Sequence, residues 1–399
     1  MHSFRVLVIN QISQVGLRRF PHDTYAVAKD ATEPDAILVR SQDLHAFDIP
    51  ASVKAIGRAG AGTNNIPVAA MNKRGVPVFI APGANANAVK ELVIAGMLLA
   101  ARNIPGALGF VAGLAGEALN IDHARMDRLV EDGKKNFAGS ELANHTLGVV
   151  GLGKIGCLVA DAAIGLGMNV LGYDPEITVD AAWSLPSQVK KAHSIEEVLK
   201  ACHFVTLHVP LADMTRHLIR RERVDLMKQG AVLLNFSRDA VVDEEAILQG
   251  LAAHRLRYYV CDFPSPGLVG HAGVIALPHL GASTREAEDN CAVMVVDQVR
   301  DYLEHGNIRN AVNFPDVVMS REAPYRVAIA NANVPNMLGQ MSTAVANAGL
   351  NIHNMMNKSR GEMAYTLVDV DSAVSTQLIL ALAAIPGVLS VRYLPAPGG

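Results

Sequence analysis

Three glycines in the spacing GxGxxG, Gly151, Gly153 and Gly156, follow the apolar run Thr146–Val150 and open a stretch of helical periodicity. In that setting each glycine has its own task. The first allows a tight turn, the second lets a pyrophosphate approach backbone N–H groups at a helix N-terminus, and the third lets helix and strand pack closely. A second apolar run, Asn169–Tyr173, ends in Asp174, where a carboxylate accepts from both hydroxyls of an adenosine ribose. The same charge repels a 2'-phosphate, so the unit predicts NAD in preference to NADP. Two further residues have types suited to chemistry. His279 stands just past the apolar run Val274–Leu277, and an imidazole moves protons near neutrality. Arg238 stands between the strand expected over Ala231–Phe236 and the acidic helix start Asp243, Glu244, Glu245; a guanidinium grips carboxylate oxygens in a fork. By position alone His279 also suits a loop or helix cap, and Arg238 a salt bridge to Asp239 or Asp243.

Groups of this kind need a parallel sheet whose strand ends present loops, and the chain has the pattern for one. Ahead of the glycine loop, the runs RVLVIN from Arg5, DAILVRS ending at Ser41, VKAIGRAG ending at Gly60 and PVFIAP ending at Pro82 alternate with helical stretches. Behind it, Phe204–Val209, Ala231–Phe236, Tyr258–Asp262 and Val274–Leu277 alternate with helices such as Ser194–Ala201 and Asp243–His254, as a doubly wound sheet requires. A long helix, Arg285–Glu304, follows. Residues Asn313–Pro324, with two prolines and little periodicity, predict a linker. Tyr325–Leu394 then reads strand, helix, strand, strand, helix, strand, a small α+β unit without an obvious acid or base and suited to binding or regulation.

At 399 residues the chain exceeds one ordinary core, so two or three domains are expected. A net charge of −3 supplies no basic field for nucleic acid or a membrane surface. The most apolar helical run, Leu92–Ala101, is too short to span a bilayer. The chain starts on a strand and shows no signal peptide, and Cys157, Cys202, Cys261 and Cys291 form no CxxC pair; a reducing, cytoplasmic setting is expected. No histidine spacing suggests a metal site.

Ordered matches over nearly the whole length resemble one family. They are LVRSQD from Leu38, GRAGAGTNNI from Gly57, NAVKELVIAGMLLAARN from Asn87, GLGKIG from Gly151, LHVPL from Leu207, NFSRDAVVDE from Asn235, CDFP from Cys261, PHLGAST from Pro278 and NAVNFP from Asn310. The chain resembles the D-2-hydroxyacid dehydrogenases and, through its ACT-like C-terminal unit, their phosphoglycerate dehydrogenase branch. The resemblance implies NAD-dependent oxidation of 3-phosphoglycerate to 3-phosphohydroxypyruvate, the entry to L-serine synthesis. It implies a discontinuous flavodoxin-like substrate domain over 1–97 and 287–316, a Rossmann NAD domain over 98–286 and a ferredoxin-like ACT domain over 322–399. A hydroxypyruvate or glyoxylate reductase is the nearest alternative, and an NAD-sensing interaction protein without turnover a more distant one.

Residue by residue, the resemblance makes His279 the catalytic base and Arg238 the group that orients the substrate. It adds Lys154, Ile155, His208, Pro210, Asn235, Ser237, Asp262, Ala282 and Ser283 around the cofactor. The family's glutamate that pairs with the histidine is missing, since no acidic residue lies between Phe263 and Arg285. Asp262 is a candidate to fill in. A phosphorylated acid needs cations away from the reacting carbon, and Arg40 and Arg58 stand at strand ends with Ser41, Gly60, Gly62 and Asn64 beside them. In the ACT-like unit, Asn331, Asn333 and Asn351 fall at the ligand-facing positions, with L-serine the expected effector. Asn336 replaces a family glycine. A homodimer or homotetramer is expected, joined through helices over 103–135 that exceed the needs of one core.

Overall fold

The computed structural model describes residues 4–118 and 121–395, which divide into two compact units, Ala86–Thr284 and the combination of Met1–Asn85 with Arg285–Gly399. In the discontinuous unit, short apolar runs form five parallel strands: β1 (Phe4–Val8), β2 (Tyr25–Ala28), β3 (Ala36–Val39), β4 (Ala55–Arg58) and β5 (Val78–Phe79). Their order, β2-β1-β3-β4-β5, is that of the flavodoxin fold, in which ligands bind beyond the carboxyl ends of the strands. β3 is buried along its whole length, as a parallel sheet covered on both faces demands. The Arg285–His305 helix lays Val295 and Val299 on this sheet.

The Ala86–Thr284 unit holds seven parallel strands: β6 (Thr146–Val150), β7 (Asn169–Tyr173), β8 (Lys190–Lys191), β9 (Phe204–Leu207), β10 (Ala231–Asn235), β11 (Leu256–Cys261) and β12 (Val274–Ala276). Their order, β12-β11-β10-β9-β6-β7-β8, is the Rossmann arrangement with one strand added at the edge, and it reverses between β6 and β9. The segment expected to be helical over 103–135 contains the helices Ile104–Gly113, Ala115–Ala118 and His123–Gly133. Ile104–Gly113 buries none of its side chains, and Leu108 and Val111 are 64% and 59% exposed. Among the described residues no single helix is long and apolar enough to cross a membrane.

The C-terminal part forms an antiparallel sheet of β13 (Tyr325–Ala332), β14 (Ile352–Arg360), β15 (Met363–Val370) and β16 (Val388–Pro395), in the order β14-β15-β13-β16. Strand alternation gives it two apolar faces. Val327, Ile329, Val368 and Val370 meet the helices Met337–Asn347 and Thr376–Ala383. Ala328, Ala330, Tyr365 and Leu367 face the other way and share a core with Tyr302, Leu303, Phe314 and Val317, which also pack with the five-stranded sheet.

The expected linker is therefore corrected: Phe314, Val317 and Met319 are buried, and Ile308 and Val317 bridge as antiparallel backbone. An extended segment laid between two sheets has no helical period to betray it. Arg326 seals the junction at 0% exposure. Its guanidinium donates to both Asp369 oxygens at 2.6 and 2.8 Å and to the carbonyls of His305, Met319 and Ser320, each at 3.0 Å.

Candidate active site

Gly151 follows β6 with φ +92°, and a Cβ there would fall 2.7 Å from the His208 carbonyl carbon. Gly153 caps the Lys154–Gly165 helix, and nothing lies within 4 Å of where its Cβ would be. The space ahead of this helix is open, and helix first turns carry N–H groups without intrahelical acceptors. Gly156 admits no side chain, because its Cβ would stand 2.0 Å from the Gly151 carbonyl oxygen. Asp174 ends β7 with one oxygen accepting the Leu152 N–H at 2.8 Å and the other the Glu176 N–H at 2.9 Å. Each oxygen keeps a lone pair for a ribose hydroxyl. Lys154 is exposed and Ile155 half-buried at the helix start. His208, at the end of β9, meets the Thr206 hydroxyl at 3.0 Å through Nε2, and desolvation pushes its pKa down to about 3, which favours the neutral imidazole. Pro210 follows, exposed. An open cradle with an anchored acid fits a dinucleotide.

At the end of β10, buried Asn235 builds a turn. Its Oδ1 accepts from the Ser237 N–H and hydroxyl at 3.1 and 2.9 Å, while Nδ2 donates to the Arg238 carbonyl at 2.8 Å and the Tyr259 hydroxyl at 3.2 Å. The amide is thus spent on shape, and Ser237 is buried with it. Arg238 leaves the turn exposed, donating to the Ser237 carbonyl at 2.6 Å. Among the described residues it forms no salt bridge with Asp239 or Asp243, and Asp243 instead caps the helix Glu244–Ala252.

His279 follows β12 with φ +57°, a left-handed backbone uncommon for a residue with a side chain. Asp262 explains how that is held. Buried at the end of β11, it accepts the Leu280 and Gly281 N–H groups, each at 2.7 Å, while its carbonyl accepts from the His279 N–H at 3.1 Å. Asp262 does not fill in for the missing glutamate: its carboxylate is turned onto the Leu280 and Gly281 N–H groups, and among the described residues it makes no bond to the His279 side chain. The imidazole instead lies 5.0 Å from the Phe263 ring, and no carboxylate bonds to it among the described residues. The acid-free loop is pinned from the side by Glu244, which accepts the Ser265 hydroxyl at 2.6 Å. Ala282 is half-buried, and exposed Ser283 closes the loop with its N–H on the Leu280 carbonyl at 2.9 Å.

In the other unit Val39 pairs with Arg58, so Arg40 and Arg58 leave adjacent strand ends. Arg58 Nε donates to Asn65 Oδ1 at 3.0 Å, and Asn65 Nδ2 donates to the carbonyls of Arg40 and Gln42 at 3.3 and 2.7 Å. Asn65 is buried, whereas Asn64, the asparagine singled out by sequence, is exposed. Two adjacent asparagines look alike until a fold turns one inward. Gly60 lies under the Arg58 guanidinium, where a Cβ would come within 2.3 Å of Nη1; Gly62 is half-buried and Ser41 exposed. Arg40 pairs with Glu288, a residue the sequence reading passed over.

Residues 117–281 match the family profile described as D-isomer specific 2-hydroxyacid dehydrogenase, NAD binding domain. A D-3-phosphoglycerate dehydrogenase of Haemophilus influenzae is 32% identical over 353 residues, 85% of this chain and 81% of that protein. The chain belongs to the D-2-hydroxyacid dehydrogenase family. A D-3-phosphoglycerate dehydrogenase of Methanocaldococcus jannaschii is 34% identical over 367 residues; the match takes in 88% of this dehydrogenase and 64% of that longer relative. The crystal structure of an NAD+-bound 3-phosphoglycerate dehydrogenase from Entamoeba histolytica aligns with a TM-score of 0.58 at 25% identity, covering 78% of this chain and 99% of that one.

The C-terminal sheet of this dehydrogenase separates the three expected effector residues. Asn331, near the end of β13, is buried with Nδ2 on the Ala332 carbonyl at 2.7 Å, and its Oδ1 has no hydrogen-bond partner among the described residues. Asn333, one residue past β13, donates to the Gly361 carbonyl at 3.0 Å. Asn351 precedes β14, and its N–H meets Asp371 at 3.2 Å. Register pairs Asn331 with Ala364 but Ile352 with Val370, so Asn351 stands at the opposite end of the sheet, about 20 Å away at the usual strand rise. One chain does not bring them together. Asn336 takes a left-handed backbone, φ +66°, the conformation a glycine adopts most readily, and its Oδ1 folds over Gly339.

Proposed function

We propose that this dehydrogenase oxidises 3-phospho-D-glycerate to 3-phosphohydroxypyruvate with NAD, the first step of L-serine biosynthesis. The observation that carries the reading is the pair of guanidinium groups, Arg40 and Arg58, on adjacent strand ends and linked through Asn65. A phosphorylated three-carbon acid brings about three negative charges, two of them on the phosphate. Arg40 and Arg58 would hold that phosphate with the Ser41 hydroxyl, while the loop of Gly60, Gly62 and Asn64 would lend donors to the carboxylate. Arg238, without a competing ion pair, would take the carboxylate and polarise the oxygen on C2. The His279 imidazole would accept the hydroxyl proton as the hydrogen on C2 departs with its electron pair, leaving a ketone. Bound NAD supplies the hydride acceptor. Lacking a carboxylate partner, the imidazole depends on the Asp262-clamped loop and the Phe263 ring for its aim.

NADH absorbance with 3-phosphoglycerate, and the reverse reaction with 3-phosphohydroxypyruvate, test this directly. His279→Ala is expected to lower kcat by about 10²–10⁴-fold. Arg238→Ala should damage kcat and KM together, whereas Arg40→Ala or Arg58→Ala should raise KM for the phosphorylated acid more than for glyoxylate. Equal effects on both acids would remove the phosphate role and favour a glyoxylate or hydroxypyruvate reductase.

Two assembly readings accompany it. The exposed apolar side of Ile104–Gly113, with Leu108 and Val111, supports a homodimer through the nucleotide unit. An amino-acid effector, with L-serine the expected one, would need two copies of the C-terminal sheet to bring Asn331 and Asn333 of one near Asn351 of the other. Inhibition by millimolar serine, lost in Asn351→Ala, tests it; an unaffected enzyme leaves the sheet with a structural role.

A further inference from the structure

We propose that Glu288 is a built-in competitor for the substrate's phosphate, a carboxylate of the same chain that occupies Arg40 until a phosphate displaces it. The inference rests on Arg40 and Arg58 being the phosphate-holding pair, but not on turnover. Glu288 Oε1 lies 2.7 Å from Arg40 Nη1, and the two side chains are 43% and 34% exposed, so a dissolved anion reaches both.

The two arginines are held differently. Arg58 is anchored through its side chain, its Nε donating to the neutral amide oxygen of buried Asn65. Arg40 is held by Asn65 only at its backbone carbonyl, and its guanidinium meets a carboxylate. Glu288 comes from the first turn of the Arg285–His305 helix, where the helix dipole favours negative charge, whether carboxylate or phosphate. Buried Cys291 lies one turn on. Its thiol is pushed up by burial, with Arg40 and Arg58 pulling it back and Glu288 opposing them, so all three charges converge on one place.

A phosphate arriving there meets two cations and the start of a helix, but it has to turn one carboxylate away. Glu288 thus keeps affinity for the phosphorylated acid below what two guanidinium groups alone would give. It also returns a partner to Arg40 when a phosphorylated product leaves.

Glu288→Gln keeps the size of the side chain and removes the charge. Binding of inorganic phosphate and of 3-phosphoglycerate to the full-length protein, measured by calorimetry without cofactor, should tighten by about two- to fivefold, the scale of an exposed ion pair. In steady state, KM for the phosphorylated acid should fall more than KM for glyoxylate. In an Arg40→Ala background the same substitution should have no effect on phosphate binding. Glu288→Asp, too short to reach Arg40 fully, should fall between wild type and Gln, and it serves if the Gln variant folds poorly. Unchanged or weaker phosphate binding in Glu288→Gln, a gain that persists without Arg40, or no phosphate binding by any of the proteins overturns the proposal. An enzyme that binds phosphate in this pattern yet oxidises a different 2-hydroxy acid would defeat the proposed substrate and leave Glu288 in place.

Discussion

Arg238 and Arg326 carry the same side chain into opposite surroundings. At the end of β10, the turn built by Asn235 sends Arg238 outward with most of its donors unspent. At the junction of the two sheets, Arg326 is fully buried and its donors are shared between Asp369 and three carbonyls. A guanidinium costs a great deal to bury, and it is retained inside only where it is almost completely satisfied. The contrast separates two uses of one side chain: Arg326 spends its donors on holding two sheets together, whereas Arg238 keeps most of its donors open to an anion.

The largest effect should come from removing the junction altogether. A chain ending near Arg321 loses β13–β16 and uncovers Tyr302, Leu303, Phe314 and Val317, so the discontinuous unit should fail to fold cooperatively in thermal melts. A stable, active truncated enzyme would show the C-terminal sheet to be a separable module after all. Next, Arg326→Ala leaves Asp369 charged and unpaired inside, and should cost about 3–5 kcal/mol in denaturant unfolding. Arg238→Ala gives the opposite pattern, with stability within about 0.5 kcal/mol of wild type and activity badly reduced. Should it melt like Arg326→Ala, the distinction between the two arginines is lost.

A finer test lies in the nucleotide unit. Asp174→Ser removes a charged acceptor, so NAD(H) affinity should fall about 10- to 100-fold while NADP(H) falls less. Trp183, the single tryptophan, is largely exposed on the helix Val179–Ser184 a few residues beyond Asp174, so quenching of its fluorescence by NADH reads this without turnover. Parallel losses for both cofactors would mean that Asp174 serves only to hold the Leu152 N–H.

The nucleotide unit was legible because its requirements are local. A turn, a helix start and an acid one strand later occupy about 25 neighbouring residues, each dictated by backbone sterics or ribose chemistry. Strand and helix boundaries there shifted by only a residue or two. Residues 313–324 read as a linker because burial of an extended segment leaves no period, only apolar residues whose partners lie far off in sequence. Asn65 and Glu288 escaped notice for the same reason, since each acquires meaning only from Arg58 or Arg40.

By itself the sequence determined the order of elements, the glycine cradle, the acid that follows β7 and the strand-end positions of Arg40, Arg58, Arg238 and His279, because these follow from neighbours along the chain. Tertiary structure alone decided that Asp262 clamps a loop and does not pair with His279, that Asn351 stands far from Asn331, that Glu288 opposes Arg40 and that the C-terminal sheet shares a core with the five-stranded one. Each of those outcomes depends on which distant backbone groups and charges share a desolvated space, and that is set by packing.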